Sequence, residues 1–219
     1  MRLLRNNGLS LVTFGLFVVF LVGQLISGYC EHNQDQKEHG QPSVKLGAYL
    51  VSGHFLESVF ENWESEFLQM AAYVVFTSFL FQKGSAESKD PSKSEEVDED
   101  PRRHRRDPEA PAAVRKGGLR LKLYEHSLSL ALLGLFVLSF AGHIFAGSEH
   151  YNEDRLEHGQ PPLSLIAYAA TARFWFESFQ NWQSEFLSVS AIVVLSIWLR
   201  EKGSPESKSV ASPHRATGK

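Results

Sequence analysis

The sequence predicts an all-α integral membrane protein: four transmembrane helices, arranged as two tandem parallel repeats of a two-helix unit. Three observations predict it. First, the 219 residues fall into two populations. Residues 9–29, 66–81, 128–147 and 186–199 are strongly apolar and almost free of charge, whereas 82–122 and 200–219 are charged and poor in large apolar side chains. That split suits spans joined by water-exposed tails rather than one soluble core. Second, the chain repeats itself. A shift of 119 positions aligns residues 9–89 with 128–208 without a gap, and 37 of the 81 pairs are identical. Third, the basic residues are one-sided. Of 22 Lys and Arg, the N-terminus holds two, the 82–122 linker eleven and the C-terminal tail five. The positive-inside rule then places both termini and the linker in the cytoplasm.

The expected organisation is a first two-span repeat over 1–82, a disordered charged linker over 83–122, a second repeat over 123–202 and a disordered tail over 203–219. An even number of spans per repeat gives both the same orientation, with a pseudo-symmetry axis along the membrane normal.

The first span, Leu9–Tyr29, is 21 residues without a charge. At about 1.5 Å per residue it covers roughly 31 Å, enough to cross the hydrocarbon. Arg2 and Arg5 precede it as in a signal peptide. Its length, and its twin at Leu128–Ala146 in mid-chain, argue for an uncleaved span. Small residues one turn apart, Gly23 and Ser27, then Gly142 and Ala146, permit close helix packing.

Beyond the first span, Asp35 and His39 lie one helical turn apart, and Asp154 and His158 repeat the spacing after His150. Carboxylate and imidazole at i, i+4 can share a metal or make a helical ion pair. No Cys/His zinc pattern accompanies them, and no metal or other cofactor is expected. The Glu38–Pro42 segment, Glu-His-Gly-Gln-Pro, reads as a helix end and turn.

Residues 44–61, with the copy at 163–180, admit two readings: an amphipathic helix in the outer interface, or a re-entrant segment between spans. The second span then opens on Asn62-Trp63-Glu64-Ser65-Glu66-Phe67-Leu68, which returns as Asn181-Trp182-Gln183-Ser184-Glu185-Phe186-Leu187. The charge-free core that follows is short, so this stretch is expected at the membrane rim, where indole side chains favour the interface. Helical spacing puts Asn62, Glu66, Gln69, Tyr73 and Thr77 on one stripe that must face protein or water. Glu66 and Glu185 are interface carboxylates on the simplest reading. Brought together by pseudo-symmetry, they could instead handle protons or cations.

The linker carries an acidic block, 95–100, then a basic one, 102–106, among four prolines. It reads as a solvated tether whose basic block could touch anionic lipid. The single cysteine, Cys30, forms no intrachain disulfide.

No phosphate-binding glycine loop, nucleophile elbow, His-Glu-x-x-His or nucleotide fingerprint is present. The chain is therefore expected to be no enzyme. A net charge of −3 gives no reason to expect nucleic acid as a partner. The expected partners are the lipid bilayer and, through it, self-association or another membrane protein. The segments at 7–11, 38–42, 62–70 and 83–89 together resemble a family of small bacterial transmembrane proteins known only as a domain of unknown function. The resemblance covers both repeats. It implies a bacterial plasma membrane and supplies no activity and no site residues.

Overall fold

A computed structural model describes residues 2–218, with side chains from residue 6 onward, so the side chains of Arg2 and Arg5 lie outside the described residues. The chain is all-α. Two helices dominate: α1, Arg2–Glu38, with a non-helical backbone at Asn7, and α6, Ser127–Glu157. Each runs on past its apolar block because the polar residues that follow include neither glycine nor proline until Gly40 and Gly159. Both helices then stop the same way. Gly40 and Gly159 take positive φ, 72° and 68°, which a side chain would resist. Gln41 N–H donates to Gln36 O and Gln160 N–H to Arg155 O, sealing the last carbonyls. The Glu-His-Gly-Gln-Pro motif is thus a helix terminator.

Each returning chain is pinned by an asparagine. The Asn33 carboxamide accepts from Val44 N–H (2.6 Å) and donates to Val44 O (3.2 Å). Asn152 does the same with Leu163, at 2.7 and 3.0 Å.

The segments at 44–61 and 163–180 are each broken in the middle. Each divides into a one-turn helix, α2 (Leu46–Tyr49) or α7 (Leu165–Ala169), a tight turn, and the opening of the next long helix. That helix, α3 (Gly53–Phe79) or α8 (Ala172–Leu195), begins nine residues before Asn62 or Asn181. The Asn-Trp stretch therefore lies inside a helix and does not open one. The reason is local: Ser52 Oγ accepts from Phe55 N–H (3.4 Å), so Ser-Gly-His marks a helix start where its composition suggested an interruption.

Among the described residues, two helices are long and apolar enough to cross a membrane, 6–38 and 127–157; α3 and α8 are not among them. The most apolar window of α1 has no buried residue, and that of α6 has 11% buried.

The linker, expected to be disordered, holds short elements. Two single-turn 3-10 helices, Glu96–Asp98 and Pro101–His104, precede α4 (Ala112–Lys116) and α5 (Gly118–Glu125). Asp100 caps the second of these turns through Arg102 N–H, and Lys89 pairs with Asp98 at 2.5 Å. The tail, also expected to be disordered, is tied by Lys208. Lys208 is 2% exposed, and its three ammonium protons are shared among the carbonyls of Gly84, Ile197, His214 and Ala216, all within hydrogen-bond distance. Composition suggested none of this, because the partners are backbone carbonyls that composition cannot reveal.

The chain forms two compact units. The first is Met1–Phe60 with Gly142–Thr171; the second is Glu61–Ala141 with Ala172–Lys219.

Candidate functional site: a buried carboxylate between histidines

In the first unit, α3 and α6 approach until backbone meets backbone. A Cβ on Gly53 would stand 2.6 Å from His150 N and 2.8 Å from Ala146 O, so only glycine fits there. One helical turn later α3 presents Glu57, 5% exposed. Its carboxylate enters a notch on α6 made by Gly147, where a Cβ would stand 2.6 Å from Glu57 Oε1. His143 and His150 sit one turn to either side of that notch on the same helix face.

Each oxygen of Glu57 has a polar partner. Oε1 accepts from the Tyr168 hydroxyl of α7 (3.1 Å). Oε2 faces His150 Nδ1 in a short hydrogen bond. A ring nitrogen of His143, itself fully buried, comes within 4.8 Å. The other nitrogen of His150, Nε2, lies 3.9 Å from Asp154 Oδ1, whose side chain is 44% exposed. Next to this group, His54 stacks edge-on against His150 and tilted against His32, each at 5.0 Å between ring centres. Its Nδ1 meets the Tyr49 hydroxyl at 3.1 Å and its Nε2 faces Glu31 at 3.6 Å. A carboxylate excluded from water needs such partners, because desolvation otherwise disfavours its charge.

Of the residues singled out from the sequence, Asp154 stands at the edge of this cluster and the others fall elsewhere. Asp35 and His39 make the helical ion pair, at 3.3 Å, and His39 Nδ1 also reaches the Asp35 carbonyl at 3.0 Å. That carbonyl first, and then the Asp35 charge, hold the His39 imidazole above its ordinary range. His158 makes the same carbonyl contact with Asp154 at 2.7 Å. Gly23, expected in a helix contact, has open space around a Cβ; the close approach falls at Gly28, against the Tyr49 hydroxyl.

In the second unit Asn62 and Glu66 are exposed and Trp63 is half-buried. The buried carboxylate of that stretch is Glu64, fully enclosed, which accepts from Trp182 Nε1 at 3.2 Å. Trp182 thus packs inside the unit, edge-on to Phe179 at 5.5 Å. Asn181 donates to Glu177 O at 3.2 Å. Glu66 and Glu185 are close enough for the charge of one to act on the other. Gln69, buried beside them, donates to Ser188 Oγ (3.3 Å) and Glu185 O (3.4 Å). The second copy carries Gln183 at the position of Glu64, so this buried carboxylate belongs to the first copy alone.

These features define a class: an all-helical protein with two helices long and apolar enough for a bilayer, and ionisable groups buried between its helices. The chain belongs to the family described as a domain of unknown function, DUF6766, whose profile matches residues 1–219 as one domain, linker included. No curated protein and no solved structure matches it.

Proposed function

We propose that the chain is a non-enzymatic integral protein of a bacterial plasma membrane, acting by assembly within the bilayer. Its spans would be four, in two parallel repeats, with both termini and residues 83–122 in the cytoplasm. The observation that carries this reading is the exposed apolar surface of α1: Val12, Phe14, Val19 and Phe20 are each more than 60% exposed. Water penalises such a surface at about 25 cal/mol per Å², and lipid removes the penalty. Features that recur at the same 119-residue spacing support the two repeats: the Asn33 and Asn152 clamps, the Gly40 and Gly159 terminators, and the Tyr49 and Tyr168 rings buried after them.

Cys30, exposed on α1, tests the topology. Labelling of intact cells by a membrane-impermeant thiol reagent is the expected result. Labelling confined to lysed cells would reverse the orientation.

A second reading, a small proton or cation channel using Glu66 and Glu185, is favoured by the nearness of the two carboxylates, which lets the Glu66 charge act on Glu185. It expects purified protein in liposomes to pass protons or monovalent cations, and the Glu66→Gln/Glu185→Gln double variant to be silent. Wild-type liposomes that are tight to both would remove it.

A further inference from the structure

We propose that His150 relays protons between the water-accessible carboxylate of Asp154 and the buried carboxylate of Glu57, making the first unit a proton-binding site. The geometry is that of an imidazole bridging two carboxylates of unlike exposure. Asp154 is 44% exposed, His150 19% and Glu57 7%, all by side chain. Each nitrogen of the ring faces one of them, Nε2 toward Asp154 and Nδ1 toward Glu57.

An imidazole so placed transfers a proton without moving through space, because it can accept at one nitrogen while releasing from the other. The step balances. Asp154 takes a proton from water and passes it to Nε2 of the neutral ring. The ring releases its Nδ1 proton to Glu57 Oε2. Asp154 ends ionised, His150 neutral in its other tautomer, and Glu57 a neutral acid. The 3.9 Å between Nε2 and Asp154 Oδ1 closes by a small rotation or through one water.

Glu57 is built to hold either state. The Tyr168 hydroxyl donates to Oε1 whether or not Oε2 carries the proton. His150 is itself met by Glu57 and His54 of α3, and by Asp154 and Glu153 of its own helix. Glu31 and His32 of α1 and Tyr49 of α2 face His54, and His143 of α6 lies within 4.8 Å of Glu57. If the apolar block 128–147 of α6 fills the hydrocarbon, Asp154 and His150 stand at its outer rim and the relay runs inward. It shares no residue with the Glu66 and Glu185 pathway, so the liposome result for those two leaves it untouched.

The test uses the full chain in detergent micelles, with 15N-labelled histidine and His150 assigned through a His150→Gln variant. The Asp154→Asn change, at a half-exposed position, is expected to slow exchange of the His150 ring proton with water by about 10²-fold, the low end of what a positioned proton-transfer group supplies. Unchanged exchange would mean a static ion pair and overturn the relay. Infrared difference spectra on acidification are expected to show a protonated carboxylic acid that Glu57→Gln removes. A band that survives in a folded Glu57→Gln protein would put the stored proton elsewhere and overturn the assignment. Should that variant not fold, the Asp154→Asn exchange rate decides alone.

Discussion

Replacing Glu57 with alanine is expected to lower the unfolding free energy of the purified protein by about 3 kcal/mol, the cost of leaving buried hydrogen-bonding groups without their partner and of opening a cavity. The size follows from what is left behind. The Tyr168 hydroxyl loses its acceptor at a site that is 0% exposed, and the short hydrogen bond of His150 disappears. Alanine also leaves a void against the Gly147 notch, which a larger residue at 147 would fill but alanine at 57 does not. Glu57→Gln should cost less, about 1 kcal/mol, because the amide still accepts from Tyr168 and from a neutral His150. Denaturant titration in micelles gives both numbers. Equal losses for the two variants would show that the charge alone, with no contribution from packing or from the Tyr168 hydrogen bond, accounts for the stability that Glu57 supplies.

Alanine at Gly28 and at Gly147 should each destabilise by about 2 kcal/mol through overpacking, yet respond differently to removal of the facing hydroxyl. At Gly28 a Cβ collides with the Tyr49 hydroxyl alone; the next ring atoms stand at 3.5 and 3.9 Å, ordinary contacts. Gly28→Ala combined with Tyr49→Phe should therefore recover most of the loss. At Gly147 the Cβ would also stand 2.9 Å from Tyr168 Cζ and 2.6 Å from Glu57 Oε1. Gly147→Ala combined with Tyr168→Phe should recover little. The two double-mutant cycles are read from thermal midpoints. Equal rescue at both sites would contradict the asymmetry that Glu57 introduces at Gly147.

The sequence carried the all-α class and the two long apolar helices because membrane-length apolar runs are coarse signals that survive local variation. It carried the terminators at Gly40 and Gly159 for a similar reason: glycine followed closely by proline has few other uses. It missed the buried cluster because attention to what the repeats share discards what differs. Glu57 aligns with Phe176, His150 with Glu31 and His143 with Gln24. The innermost members of the site, Glu57, His150 and His143, are thus positions where the copies diverge, whereas Tyr168 and Asp154 match Tyr49 and Asp35. One signal was in view: His143 stands alone as an ionisable residue inside the apolar block 128–147, and a titratable group within such a block needs a partner. The boundaries of α3 and α8 were misplaced because an indole at a rim and an indole packed in a protein have the same sequence signature. Only the Trp182 hydrogen bond to Glu64 separates them in the second copy.

The asparagine clamps have one more consequence. Asn33 and Asn152 each hold a backbone residue eleven positions ahead by both its N–H and its carbonyl. Residues 33–44 and 152–163 are therefore rings fastened at the base by a single carboxamide. Motion or sequence change at the crown of such a ring is insulated from the helices below it. A binding partner could grip the crown, or evolution redecorate it, while Tyr49 and Tyr168 stay seated against their glycines.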